Sequence, residues 1–223
     1  MVITRYSVSL TSFRSLVVLS RPLGTSEGSI FSSDFASLRN LHSLTDKGTC
    51  NLSIFVDLLL LTWVVMSIIN RYSHVPSTLS RAYWSLVNLC LLERNKEFVI
   101  ESRGIEKIVK SMKDFPEDEE LQFRACFVLT NLCSSQSSKN LVRLLGGIPF
   151  LLKILENSQN DNIRLRCACN LIACLCWSNP ENARVVRSHG ASTDIANIKE
   201  KFPQDNQLQL VAESALISLR IME

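Results

Sequence analysis

One period runs through most of this sequence and limits what the chain can fold into. An alanine recurs every 43 or 44 residues, at Ala82, Ala125, Ala168 and Ala212. A glycine recurs every 43 residues, at Gly104, Gly147 and Gly190. A valine precedes each glycine by five positions, at Val99, Val142 and Val185. The alanine series and the glycine–valine series are independent and share one period, which indicates a chain built from stacked structural repeats.

Within each repeat, the apolar residues have the spacing of helices. One stripe of the last helix of a repeat holds Leu121, Ala125, Val128, Leu129 and Leu132. This spacing follows a period of 3.6 residues. The glycine is expected to supply the left-handed or turn geometry between two helices. Polar connectors precede the last helix at 114–120, 156–162 and 201–206. Each repeat is therefore predicted to contain a short helix, a glycine turn, a second helix, a polar loop and a long helix.

Two frames are open for the long helix of the third repeat. In one frame, Ala168 is equivalent to Ala125. In the other, the repeat is read one residue earlier, with Ile163 and Cys167 in register. The choice decides which side chains of this helix face the core.

This arrangement resembles the armadillo repeat, which has three helices per unit, a glycine before the second helix and an A-x-x-x-L-x-N-L pattern in the third. The resemblance covers residues 78–223, about three units preceded by a leading third helix. It implies an all-α solenoid of about three to four repeats, wound as a right-handed superhelix with a long concave surface. Such a protein is expected to be a non-catalytic scaffold that binds a segment of a protein partner along that surface.

Two positions of the long helix are expected to be exposed and to contact the partner. They hold an aromatic residue followed four positions later by asparagine, as Trp84 and Asn88 and again as Phe127 and Asn131. This pattern resembles the W-x-x-x-N ladder of nuclear-import adaptors, in which the amides hold the backbone of an extended peptide. The alternative is structural, with each asparagine bonded to a neighbouring loop. The pattern fades afterwards, with Asn170 and Cys174 and then Ser214 and Ser218 at these positions.

The first 77 residues differ from the repeats. Residues 1–49 are rich in serine and are interpreted as a disordered leader or a targeting segment. Residues 50–77 are interpreted as a degenerate repeat, in which Val65, Met66 and Ile69 correspond to Ile108, Val109 and Met112. On this interpretation, Leu61 replaces the turn glycine between two helices. The alternative is that residues 52–69 span a membrane and tether the scaffold.

No motif for catalysis, a cofactor or a metal is found, so no catalytic residue, cofactor or metal ligand is predicted. Six cysteines lie within apolar runs and are expected to be buried thiols. This cysteine usage predicts an intracellular protein, cytoplasmic by default, with nucleus, mitochondrion or membrane as alternatives. The formal net charge of +3 gives no reason to expect a nucleic-acid partner. A further alternative is that the apolar end at Ile221 and Met222 self-associates, or that the chain is a fragment whose last helix docks on further repeats.

Overall fold

The computed structural model of this protein describes residues 50–158 and 160–220, with side chains from residue 58 onward. Every regular element in this part of the chain is a helix. The helices are α1 (Cys50–Arg71), α2 (Pro76–Leu89), α3 (Glu93–Glu101), α4 (Gly104–Asp114), α5 (Glu119–Leu132), α6 (Gln136–Leu144), α7 (Ile148–Asn157), α8 (Asn162–Cys176), α9 (Pro180–Ser188), α10 (Ala191–Lys201) and α11 (Asn206–Arg220). The predicted all-α class is therefore confirmed for the described residues. The chain divides into two compact units, Met1–Val65 and Met66–Glu223.

The helix α1 corrects one prediction. It runs without a break through Leu61, where the sequence predicts a turn between two helices of a degenerate repeat. No glycine or proline lies between residues 50 and 71, so this stretch has no residue of the kinds that most often break a helix. Val65, Met66 and Ile69 are nevertheless buried, as their correspondence with a second repeat helix predicts.

Two other expectations concern this end of the chain. The leader predicted for residues 1–49 lies outside the described residues. Among the residues that the structure describes, no helix has both the length and the apolar composition needed to cross a membrane.

The unit Met66–Glu223 contains three helix triplets after the leading long helix α2. The triplets are α3–α4–α5, α6–α7–α8 and α9–α10–α11, and each contains a short helix, a second helix and a long helix. The long helices contact one another in chain order, α2 with α5, α5 with α8 and α8 with α11. Each triplet buries its apolar stripe against the next one, so the core is continuous along the stack.

An aspartate begins each of the last three long helices. The Oδ1 atom of Asp118 accepts a hydrogen bond from the Leu121 backbone nitrogen at 2.9 Å, and Asp205 does the same for Leu208 at 2.9 Å. Asp161 accepts from the backbone nitrogens of Ile163 and Arg164. These carboxylates satisfy backbone donors that have no partner within the first helical turn. The polar connectors therefore fix where the long helices start.

Burial decides between the two frames of the third repeat. Ala168, Leu171, Ile172 and Leu175 are buried at the positions equivalent to Ala125, Val128, Leu129 and Leu132. Ile163 is 57% exposed, and Asn170 is also exposed. The frame that begins at Ile163 is therefore wrong, because it would place both of these side chains in the core.

In the first two repeats, the recurring glycine packs closely against the recurring valine. A Cβ atom added to Gly104 would lie 2.4 Å from Cγ1 of Val99, and one added to Gly147 would lie 2.9 Å from Cγ1 of Val142. Neither glycine has a positive φ; the left-handed residues are Arg103 and Gly146, just before them. Gly104 and Gly147 are therefore required for close helix approach and not, as predicted, for turn geometry.

The third repeat departs from this rule, because its first helix lies one position later in the sequence. Gly190 is left-handed, with φ of 82°, and a Cβ atom there would meet nothing within 4 Å. The buried pair is instead Val186 and Ala191, each 44 residues after its counterpart in the second repeat. The assignment of Gly190 as the equivalent of Gly147 is therefore wrong. The additional residue falls at the end of α8, where Ser178 has a φ of 54°.

Candidate partner-binding face

The two ladder positions of the long helices lie on one face of the unit Met66–Glu223, and three of the eight residues at these positions are exposed while four are half-buried. Trp84 is 46% exposed, and Phe127 is half-buried. Asn170 and Ser214, at the same position of the next two helices, are exposed. At the second position Asn88, Asn131 and Cys174 are half-buried, whereas Ser218 is buried. We refer to these eight residues as the ladder face.

The structure brings the two predicted aromatic residues into contact. The ring centroids of Trp84 and Phe127 are 6.1 Å apart with an interplanar angle of 66°, an edge-to-face arrangement. Phe123 extends the cluster, with its ring 5.9 Å from that of Phe127. The guanidinium carbon of Arg124 lies 5.4 Å from the centre of the Trp84 ring, within the range of a cation–π interaction. We call these four side chains the aromatic cluster.

Sequence reasoning missed Phe123 and Arg124. Both precede Phe127 by about one helical turn, so the i, i+3 and i+4 spacing on the helix surface is the signal that would identify them. The cluster packs Trp84 against side chains of the next repeat while its outer surface stays open. Its conformation is therefore fixed before any partner arrives.

The two asparagines have different roles in the structure. The Nδ2 atom of Asn88 is 3.4 Å from the Trp84 carbonyl oxygen in the same helix, which makes a long and weak hydrogen bond. The Nδ2 atom of Asn131 donates to the Val87 carbonyl oxygen at 2.9 Å and joins α5 to α2. Asn131 therefore has a structural bond between repeats, whereas Asn88 remains available to a ligand.

The bond of Asn131 belongs to a series of bonds between successive long helices. Each donor lies 44 residues after the residue whose carbonyl oxygen accepts. The series consists of Arg124 to Ser80 at 3.3 Å, Asn131 to Val87 at 2.9 Å, Cys167 to Phe123 at 3.9 Å and Cys174 to Thr130 at 3.8 Å. The two bonds that the thiols donate are long and weak, since an S–H group is a poor donor. In each of these bonds, a side chain of one long helix donates to a backbone carbonyl oxygen on the long helix before it.

The third repeat adds an aromatic residue that sequence reasoning missed. Trp177 is 55% exposed and follows Asn170 by seven residues, which is two helical turns. Lys139 is only 7% exposed, and its ammonium donates to the Trp177 carbonyl oxygen at 2.8 Å. This bond joins α6 to the end of α8 and fixes the backbone that carries Trp177.

The cysteines behave as core residues. Of the seven cysteines whose side chains the structure describes, six are buried. Cys174, which the sequence predicts to be buried, is half-buried. Burial raises the pKa of Cys126 from its ordinary value to about 12, and it raises the pKa of Cys176 to about 12 as well. Because the thiolate is the nucleophile and the metal ligand, these thiols are held in their unreactive form. Within the described residues, no group of three or more histidine, cysteine, aspartate or glutamate side chains is placed to hold a metal ion.

A small cavity lies between α5 and α7, at the opposite end of α5 from the Asn131 bond. Its volume is about 40 Å³, and its lining includes Gln122, Phe150 and Lys153. A cavity of this size has room for a few water molecules. It is too small for a substrate or cofactor of ordinary size.

Three engineered proteins studied by the Northeast Structural Genomics Consortium are similar to this chain in structure. One matches with a TM-score of 0.63 at 15% sequence identity, over 97% of this chain and 93% of its own. A second matches with a TM-score of 0.61 at 18% identity, over 94% of this chain and 50% of its own. A third matches with a TM-score of 0.56 at 18% identity, over 97% of this chain and 95% of its own. No protein-family model and no curated protein sequence matches the chain.

At these identities the similarity concerns the fold alone. Together with the three triplets and their stacked long helices, it defines the class: the described chain is an all-helical repeat protein.

Proposed function

We propose that this chain is an armadillo-type solenoid that works as a non-catalytic protein-interaction module and binds an extended segment of a protein partner along its ladder face. The observation that carries the proposal is the aromatic cluster. A tryptophan that is 46% exposed on a helix, and packed edge-to-face on the next repeat, is a large apolar surface held in a fixed position. Exposed aromatic anchors of this kind dominate the energy of protein interfaces.

The chemistry of the ladder face suits an extended peptide. The open side of Trp84 and Phe127 gives an apolar slot for a side chain. The Asn88 amide, which makes only the 3.4 Å bond to Trp84, can donate to and accept from a peptide backbone whatever its sequence. Asn131 is expected to contribute less to partner binding than Asn88, because its amide nitrogen already donates to the Val87 carbonyl oxygen.

The long helices also make the face rigid. Hydrogen bonds between repeats and the buried core hold the anchors before binding, so little conformational entropy is lost when a partner binds. Trp177 extends the apolar surface to the end of α8 and gives a second anchor on the third repeat.

The test is selection of peptides from a display library of random sequences on the full chain, followed by affinity measurements with variants. Trp84→Ala is expected to weaken the selected peptides by about tenfold or more, which is about 1.4 kcal/mol. Asn88→Ala is expected to weaken them by a smaller factor. Trp63→Ala removes a tryptophan that is 52% exposed on α1 and serves as the matched control, with unchanged affinity expected.

Circular dichroism first establishes that each variant keeps its helical content. Selected peptides that bind Trp84→Ala and Asn88→Ala as tightly as the original chain would contradict the proposal, because the ladder face would then not be their site.

A further inference from the structure

Three arginines lie beside the ladder face, one on each of three successive long helices. Each precedes a ladder residue of its own helix by three or four positions, so both residues lie on the same face of that helix. We call these three arginines the arginine row. They are Arg81 before Trp84 on α2, Arg124 before Phe127 on α5 and Arg166 before Asn170 on α8.

Within the described part of the chain, only the middle arginine of the row forms an ion pair. The Arg124 guanidinium lies 2.6 Å from a carboxylate oxygen of Glu120. Arg81 is exposed, and no carboxylate of the described residues lies within ion-pair distance of it. The Arg166 guanidinium donates to the side chain of Gln207, which carries no charge. The two outer arginines therefore give the ladder face an excess of positive charge.

One carboxylate is affected by the charge of Arg166. The pKa of Asp205 is lowered, first by the hydrogen bond from the Leu208 backbone nitrogen, then by that from Asn162, and to a smaller extent by Arg166. The Asp205 carboxylate is thus already bonded at the start of α11. Arg166 remains able to pair with a carboxylate from outside the chain.

We propose that the segment bound along the ladder face is acidic, with one carboxylate paired with Arg81, another paired with Arg166, and apolar side chains between them. This inference rests on the proposed function and names the class of partner. The apolar surface for the middle of the segment is already present, because Trp84 is 46% exposed and Ile163, two turns before Asn170, is 57% exposed.

The stacking of the long helices sets the spacing of the two carboxylates. Arg81 and Arg166 are separated by two steps, from α2 to α5 and from α5 to α8. Packed helices lie about 8–10 Å apart, so the two steps cover about 16–20 Å. An extended chain advances about 3.3 Å per residue, so the acidic residues are expected about five or six positions apart.

The position of Glu120 favours separate carboxylates over a continuous polyanion. Its side chain is 48% exposed on α5, the helix between the two outer arginines. A nucleic-acid backbone or an anionic membrane would bring negative charge against this carboxylate, whereas a peptide can place an apolar side chain there. Carboxylates also suit arginine, because the guanidinium can donate two parallel hydrogen bonds to one of them.

The experiment selects peptides from one random display library on the full chain and on an Arg81→Glu, Arg166→Glu variant. The unsubstituted chain is expected to select two acidic residues about five or six positions apart, with an apolar residue between them. The variant is expected to select lysine or arginine at those two positions, because its charges are reversed. Circular dichroism checks that the variant keeps its helical content.

Affinities of the selected acidic peptides test each arginine. Arg81→Gln and Arg166→Gln are each expected to weaken binding about threefold or more. Changing the matching peptide carboxylate to its amide is expected to have no further effect in that variant. Arg94→Gln is the matched control, since Arg94 is exposed on α3, away from the ladder face, and unchanged affinity is expected.

Glu120→Gln gives a test in the opposite direction. It removes the negative charge between the outer arginines and releases Arg124 from its ion pair, so acidic peptides are expected to bind about twofold or more tightly. A gain in affinity does not arise from damage to the fold. Affinity that stays the same or falls would overturn the inference.

The remaining outcomes separate this inference from the proposed function. Peptides that need Trp84 but contain no acidic residues, or whose affinity does not depend on Arg81 and Arg166, would overturn the inference and leave the proposed function standing. A selection without any peptide that depends on Trp84 would contradict both. Vesicles of equal parts phosphatidylcholine and phosphatidylserine test the lipid alternative. If Arg81→Gln and Arg166→Gln abolish binding to these vesicles and leave peptide affinity unchanged, the inference is overturned.

Discussion

The side-chain nitrogen of Asn131 lies 2.9 Å from the backbone carbonyl oxygen of Val87, so the ladder residue of one repeat holds the long helix of the repeat before it. This bond gives a residue of the ladder face a structural role. It separates Asn131 from Asn88, although the sequence presents the two residues as equivalent.

The first prediction follows from that difference. Asn131→Ala removes the bond between α5 and α2 and leaves the Val87 carbonyl oxygen without its partner, so the free energy of unfolding is expected to fall by about 1 kcal/mol. Asn88→Ala loses only a long bond within its own helix, so it is expected to change the free energy of unfolding by less than about 0.5 kcal/mol. Urea unfolding of the two variants measures both effects. Equal losses of unfolding free energy in the two variants would contradict the structural role assigned to the Asn131 bond.

The second prediction concerns the two kinds of glycine. Gly104→Ala places a Cβ atom 2.4 Å from Cγ1 of Val99 and 2.7 Å from the Val99 carbonyl oxygen. The free energy of unfolding is therefore expected to fall by about 1–3 kcal/mol. Gly190 has free space but a left-handed backbone, so Gly190→Ala is expected to cost about 1–2 kcal/mol and Gly190→Asn less. Thermal or urea unfolding measures each cost. If Gly104→Asn were tolerated as well as Gly190→Asn, the close approach of Val99 would not explain why position 104 holds a glycine.

The third prediction is a loss of stability at alkaline pH from the buried thiols. Folding raises the pKa of Cys126 from an ordinary value of 9.0 to about 12. The folded state therefore keeps a proton that the unfolded state releases, and this contribution is complete below pH 9. As pH rises from about 9 to about 12 it is lost, at about 1.4 kcal/mol per pH unit for each such thiol.

Urea unfolding under reducing conditions at pH 8, 9, 10 and 11 measures this dependence. Cys126→Ala is the control, because it removes one titrating thiol and is expected to give a shallower decline above pH 9. A decline of the same steepness in both proteins would assign the alkaline loss to other groups.

The fourth prediction concerns Lys139, which is buried with its ammonium bonded to the Trp177 carbonyl oxygen. Lys139→Met keeps most of the side-chain volume but removes a charged donor, so a loss of about 1.5–3 kcal/mol is expected. Lys153→Met is the comparison. The Lys153 side chain is 37% exposed in an ion pair with Glu117, and a change of less than about 1 kcal/mol is expected. A loss in Lys153→Met as large as that in Lys139→Met would contradict the burial argument.

The thiols and the core stripe could be predicted from the sequence because both depend on local periodicity. Leu121, Ala125 and Leu132 are buried as their spacing predicts, and so are Cys126 and Cys133. The same holds for the order of helices within each repeat. Apolar residues on one stripe have to be removed from water, and a helix offers a single way to place them on one side.

The aromatic cluster could be predicted only in part. Trp84 and Phe127 follow from their shared repeat position, and their contact follows from the stacking of α2 and α5. Arg124 also bonds the Ser80 carbonyl oxygen, which lies 44 residues away in the sequence. That bond depends on the distance between α5 and α2, which cannot be predicted from the sequence alone.

By itself, the sequence determined the period of 43 or 44 residues, the helical class and the core stripe of α5, because the helices and their stripes depend on spacings within a few helical turns and the period is read directly from the recurring residues. It left the core side chains of α8 open between two frames. The tertiary structure decided the rest. It shows that Gly104 and Gly147 prevent clashes, whereas Gly190 supplies a left-handed turn. It also shows that the third repeat gains a residue at Ser178, and that α1 passes through Leu61 without a break. Each of these depends on how closely two backbones approach or on the conformation of one residue, and equal spacing in the sequence is compatible with more than one such arrangement.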